Sequence, residues 1–361
     1  MSPRLLAVRL VIGLKRAAER IGLRRRADVY VECAAEWRYP TFLLRALRRC
    51  DVGVIEVPAR HALSAWGADG FWNFLLRTRL VPTGAAPTAP VVIAREPDDV
   101  TGRIRSRVRI SVDWFSEDAR RDGLVMPYFA HPSLQRLDVS VDRSGSGRPL
   151  RIGFAGTLDE QIYRRKFDFP MPGRADVLDR LIERFEGRAA LVRSREELGA
   201  VDPGATPIVL VLVRDPSDTT RKHVLGGGEY LSFLGRCSFF VAPPGFRMPL
   251  CHNLVEAMSV GAIPIVGYGA WLYPPLRDGF DSLQFSTLDE LDSAIERALA
   301  ADEKEIARLR DGVLSYYDEH LSVDSFARRL CPRLDESPTI VVNSERDTAA
   351  LWRERERETA S

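Results

Sequence analysis

Residues 238–285 read SFFVAPPGFRMPLCHNLVEAMSVGAIPIVGYGAWLYPPLRDGFDSLQF, and the order of apolar and turn residues in them decides the fold class. Ser238 to Ala242 is an apolar run of strand length, stopped by Pro243, Pro244 and Gly245. Pro249 stands where the first turn of a helix accepts a proline, and Gly261 is placed to end that helix. Ala262 to Val266 returns as a second buried strand. In a parallel α/β sheet, the loop after a strand and the first turn of the next helix face the ligand crevice.

That geometry selects side chains. His252 and Glu256 are four apart and share a helix face, while Leu250, Leu254 and Met258 repeat on a stripe that reads as core. Free N–H groups at the helix start, with Arg247 just before them, suit an anion such as a diphosphate. Glu256, one turn in, can accept hydrogen bonds from paired ribose hydroxyls, and Asn253 completes the candidate set. The plainer reading stays open: Glu256 as an ordinary helix charge and His252 as a capping or core residue.

The segment resembles the donor half of GT-B glycosyltransferases, through FFVAPPG followed by NLVEAMSVGAIPIV. It is most similar to the exostosin-like proteins and more distantly to the α-1,3-fucosyltransferases. The resemblance implies two Rossmann-like domains facing each other across a cleft. Retaining GT-B enzymes with two glutamates look similar, but Met248 stands where their first would be, which favours the inverting branch.

The rest of the chain agrees with two α/β halves. VYVEC at 29–33, VGVIEV at 52–57, VVIA at 91–94, VRISV at 108–112 and LVMP at 124–127 read as strands. Helical patterns at Pro40 to Arg49 and Phe71 to Leu80 separate the earlier ones. The Ser-, Gly- and Arg-rich stretch from about Asp138 to Pro149 reads as a linker. RIGFAG at 151–156, PIVLVLV at 207–213 and a charged helical stretch from Asp289 to Tyr317 build the second half. The expected organisation is a basic segment 1–26, an acceptor-side domain 27–140, a donor domain 150–333 and a polar, frayed tail 334–361.

Composition bounds the function. The chain has 361 residues, is 45% hydrophobic and carries a net charge of +2, so two ordinary cores are affordable and nothing asks for nucleic acid. Five scattered cysteines lack metal-ligand spacing and suit a reducing, cytoplasmic compartment. No apolar run is long enough to span a bilayer. Residues 1–26 hold eight basic residues against Glu19 alone, interleaved with leucine and isoleucine. Such a helix either lies on an anionic membrane surface or packs on the first domain.

Further residues fit a transferase. Gly153 and Gly156 close RIGFAG where a nucleotide approaches backbone. By resemblance, Arg174 is the basic residue that helps hold the donor diphosphate, with Arg164, Arg165 and Lys166 as neighbours. VVIAREPDDV resembles the strand–Glu–Pro stretch of fucosyltransferases and makes Glu96 the expected general base, with Asp113, Glu56 and Glu36 next in line. His131 lies near the crossover. No Asp-x-Asp pair is present, so no metal cofactor is expected, and no Walker-type loop points to an ATPase.

The expected function is inverting, metal-independent sugar transfer from a nucleotide sugar to a saccharide or lipid-linked acceptor, in surface polysaccharide or glycoconjugate synthesis. A GT-B-shaped nucleotide-sugar epimerase or hydrolase and a catalytically silent sugar-binding scaffold are the alternatives.

Overall fold

A computed structural model describes residues 27–32, 38–53, 55–58, 80–83, 89–100, 104–131, 134, 142–143, 145, 147–163, 169–213 and 224–359. The basic segment 1–26, Glu36 and the Arg164–Lys166 cluster lie outside them, as does much of the expected linker. The chain divides into two compact units, Met1–Pro127 with Val323–Ser361, and Tyr128–Ser322. Unit one therefore ends earlier than expected and recruits the far end of the chain.

The strands are β1 Val29–Val31, β2 Ile55–Pro58, β3 Leu80–Thr83, β4 Val91–Ala94, β5 Ser106–Ser111, β6 Leu124–Val125, β7 Leu150–Gly156, β8 Ala189–Val192, β9 Ile208–Leu212, β10 Cys237–Ala242, β11 Ile263–Val266, β12 Leu283–Gln284 and β13 Thr339–Val341. The helices used below are α1 Arg38–Arg49, α2 Arg174–Arg184, α3 Gly227–Gly235, α4 His252–Ser259, α5 Leu288–Ala300, α6 Glu303–Tyr316, α7 Val323–Leu330 and α8 Glu345–Thr359.

Unit one holds a parallel sheet in the order β3-β2-β1-β4-β5-β13-β6. Without β13 this is the 3-2-1-4-5-6 order of a dinucleotide-binding sheet. β4 (VVIA) is buried throughout, as a strand covered on both faces must be. α1 buries Leu43, Leu44, Ala46 and Leu47 and packs on α7, with the Phe42 and Phe326 rings 5.9 Å apart.

Three expectations are corrected here. Residues 334–361 are not a frayed tail: Ile340 and Val341 are fully buried in β13, and α8 follows. Leu80 opens β3 instead of ending a helix, while 71–79 lie outside the described residues. Cys50 and Cys331 form a disulfide joining the end of α1 to the end of α7, a pairing that the reading of scattered cysteines suited to a reducing compartment did not include. Among the described residues no helix is long and apolar enough to cross a membrane.

Unit two holds a six-stranded parallel sheet, β12-β11-β10-β7-β9-β8. β9 (IVLVL) and β10 (CSFFVA) are buried along their whole length, the near-continuous apolar runs of a sheet with both faces covered. From β7 the chain runs to β8 and β9 on one side of it, then crosses to β10 on the other. The strand order thus reverses between β7 and β10. α2 packs on α5, where Arg180 pairs with Asp289 and Asp292 at 2.9 and 2.7 Å.

Candidate functional site

At that reversal, four chain ends converge. β7 ends at Gly156, where a Cβ would come within 2.8 Å of the Phe154 ring. β10 ends at Ala242, and the Pro243–Gly245 loop is closed by the Gly245 N–H donating to the Pro249 carbonyl at 3.0 Å. A Cβ on Gly245 would sit 2.8 Å from the Met248 carbonyl oxygen, so the tight turn requires glycine. Pro249 accordingly closes the loop and precedes the helix, instead of sitting in its first turn. α4 begins after Cys251, whose extended backbone (φ −129°) makes it the N-cap, and no side chain among the described residues caps that end. Its first-turn N–H groups are of the kind a ligand or water must satisfy.

Arg174 opens α2 and is buried beneath these ends. Its Nε donates to the Pro244 carbonyl at 3.2 Å, Nη1 to the Thr157 carbonyl at 2.9 Å and Nη2 to Cys251 Sγ at 3.1 Å. The guanidinium also stacks 4.5 Å from the Tyr163 ring centre. It ties the β7 and β10 loops to the start of α4, with each of its three nitrogens holding one bond. Arg247 is the contrasting case, exposed beside the same loop and in no ion pair among the described residues.

The next turn of α4 holds a second cluster. His252 and Glu256 share one face, as their spacing requires, and that face receives residues 128–131. His252 Nδ1–H donates to the Phe129 carbonyl at 2.6 Å, the tautomer fixed because a carbonyl can only accept. The imidazole stacks on Tyr128, 5.1 Å between centres and 11° between planes, and the Tyr128 hydroxyl donates to the Leu250 carbonyl at 3.3 Å. Glu256 Oε1 accepts the His131 N–H at 2.8 Å, with the Tyr230 hydroxyl of α3 a second donor. Burial pushes the Glu256 carboxyl up to about 7, the two donors opposing the shift.

One buried polar group nearby has an atom without a hydrogen-bond partner among the described residues, Asn253 Oδ1. Tyr268 lies two residues past β11 and faces Cys251 and Arg174. Sequence reasoning passes over Tyr163, Tyr230, Cys251 and Tyr268. The signal that finds Tyr268 is a polar-tipped residue just beyond a strand, in IVGYG.

In unit one, Glu96 and Asp113 each follow the carboxyl end of a strand, β4 and β5, which are neighbours. Glu96 is exposed beside Arg109, which it meets at 3.2 Å and which also pairs with Asp98 at 2.8 Å. Asp113 is exposed, its N–H donating to Ser111 Oγ at 3.2 Å. Glu56 is buried and accepts the Ala89 N–H at 3.1 Å, which removes it from the list of bases. His131 is anchored through its backbone to Glu256. The structure gathers Gly156, Arg174, Arg247, His252, Asn253 and Glu256 at one end of one sheet, and Glu96 with Asp113 at the carboxyl edge of the other.

No protein-family model matches the chain, and no curated protein matches it. Solved structures do. HepE from Anabaena in complex with UDP is similar over 86% of this chain and 100% of its own, with 9% identity and a TM-score of 0.47. An alpha-glucosyltransferase in complex with UDP covers 85% of this chain and 99% of its own, at 11% identity and a TM-score of 0.44. Alpha,alpha-trehalose 6-phosphate synthase from Burkholderia multivorans covers 91% and 75%, at 13% identity and a TM-score of 0.36.

Proposed function

We propose that the chain is a glycosyltransferase of the GT-B class, moving a sugar from a nucleotide sugar to an acceptor hydroxyl. One observation carries this reading. The strand order of unit two reverses between β7 and β10, and an uncapped helix start, a buried arginine brace and the exposed Arg247 meet there. In open α/β sheets ligands bind at such reversals, and helix N-termini with arginine suit a diphosphate.

In this reading the α4 N-terminus and Arg247 take the diphosphate, while Arg174 holds the loops that shape its seat. Glu96 accepts the acceptor proton as the hydroxyl attacks the anomeric carbon, with Asp113 as the alternative base. The nucleoside diphosphate then leaves with the bonding electron pair, its charge held by arginine and backbone dipoles without a metal. The transfer inverts, in the manner of exostosin-like enzymes. Its acceptor is a saccharide or lipid-linked sugar of surface polysaccharide or glycoconjugate synthesis, with residues 1–26 lying on an anionic membrane.

A thermal-shift panel of UDP, GDP, CMP and their sugars tests the donor assignment, because a ligand of the native state stabilises it. One nucleotide sugar should raise Tm, and turnover should persist in excess EDTA. Glu96→Gln should lower kcat by roughly 10²–10⁴ with donor affinity retained. A panel in which nothing binds overturns the reading.

A further inference from the structure

β13 carries a residue that the proposed donor chemistry does not use. The Val342 N–H donates to the Ser111 carbonyl at 2.8 Å, and the Met126 N–H donates to the Val341 carbonyl at 2.9 Å, so the segment is fixed between β5 and β6. Asn343 is the next residue. Since Val341 is level with Ser111, Asn343 leaves the ladder level with Asp113, at the sheet edge that also carries Glu96.

Asn343 is 4% exposed, and among the described residues neither its Oδ1 nor its Nδ2 has a hydrogen-bond partner. The Ser344 and Thr348 groups that follow it are paired. The Ser344 N–H donates to Thr348 Oγ1 at 3.2 Å, the Thr348 N–H to the Ser344 carbonyl at 2.8 Å, and Ser344 Oγ to Asp347 Oδ2 at 2.8 Å. Asp347 in turn pairs with Arg95, the residue beside Glu96. A buried amide lacking both kinds of partner weakens a fold, and an apolar side chain of the same volume would serve the core better. Its presence there points to a ligand that supplies the missing partners.

The chemistry of that ligand follows from the amide. One acceptor and two donors in a plane match a hydroxyl pair, since each hydroxyl can both donate and accept. We infer that Asn343, with Asp113 beside it, reads the hydroxyl groups of a polyhydroxylated acceptor at the carboxyl edge of the first sheet. The inference rests on the transferase reading and assigns its acceptor side to a segment from the far end of the chain.

Two variants test it, Asn343→Leu and the isosteric Asn343→Asp. Each is compared with wild type for Tm, for nucleotide affinity by calorimetry, and for KM with octyl glycosides and free disaccharides as acceptors. The expected result is an unchanged or raised Tm in Asn343→Leu, unchanged nucleotide affinity in both, and an acceptor KM raised about tenfold or more, the worth of one lost hydrogen bond to a ligand. A lowered Tm in Asn343→Leu marks a structural hydrogen bond and overturns the inference. So does a folded Asn343→Asp enzyme with wild-type acceptor KM. A wild-type protein that binds no nucleotide sugar overturns the transferase reading instead, which the nucleotide arm reports separately.

Discussion

Glu256 sets a sharp test of the donor-side cluster. Glu256 is 3% exposed, and its carboxyl is raised from 4.5 to about 7, mainly by burial. The unfolded chain releases this proton near the ordinary glutamate value, so between about pH 4.5 and 7 the folded state binds more protons than the unfolded one. Stability is then complete below pH 4.5, falls as pH rises through that window, and levels off above it. A gap of that size is worth about 3 kcal/mol. Glu256→Gln removes the ionisation and keeps one carbonyl oxygen for the His131 N–H or the Tyr230 hydroxyl. At pH 5 the variant should lie within about 1 kcal/mol of the wild type, whose folded carboxyl is then protonated and alike in shape and bonding. At pH 8 it should be the more stable by about 2–3 kcal/mol, the part of that gap that opens between pH 5 and pH 8. For a unit of this size that is about 4–12 °C in Tm. Thermal melts of both proteins from pH 5 to pH 8 measure it. Parallel curves across the range would refute the buried, neutral-range carboxyl.

Three more perturbations separate bracing from binding. Arg174→Met should cost about 2–4 kcal/mol in urea unfolding, since it strands the Thr157 and Pro244 carbonyls, and should weaken nucleotide binding through the loops. Arg247→Ala should leave stability within about 0.5 kcal/mol and lower affinity for a nucleoside diphosphate about tenfold, with nucleoside binding unchanged by calorimetry. Cys331→Ser should lower stability by about 2–5 kcal/mol, and peptide mapping under non-reducing conditions should show Cys50 joined to Cys331 in the wild type.

The strands that sequence reading recovers are those whose signal is local. VVIA, IVLVL and FFVA are apolar on both faces and bounded by proline, glycine or charge, so each reveals its burial without reference to any other segment. The His252/Glu256 face was legible for the same reason, since helical spacing alone fixes it. What that face meets was not, because the partners at 128–131 lie more than 120 residues away. β13 is three residues between a 3₁₀ turn and a charged helix, and it becomes a strand through the ladder that β5 and β6 offer it. β3 contains Pro82, which argues against a strand wherever edge position is unknown, and β3 stands at the edge. Arg174 reads as an anion ligand by position, yet its engagement depends on carbonyls from two loops that sequence cannot bring together.

The place of β13 also sets an order of events during synthesis. Everything unit two needs has left the ribosome once Ser322 emerges, so it can fold as the chain grows. The first-made sheet cannot close then: β5 and β6 await a strand made more than 210 residues after them, and until it arrives each presents an unpaired edge. The amino-terminal unit is thus begun first and finished last. A stop codon that removes only the final two dozen residues would leave the later-made unit intact and cut β6 away from the rest of the earlier sheet.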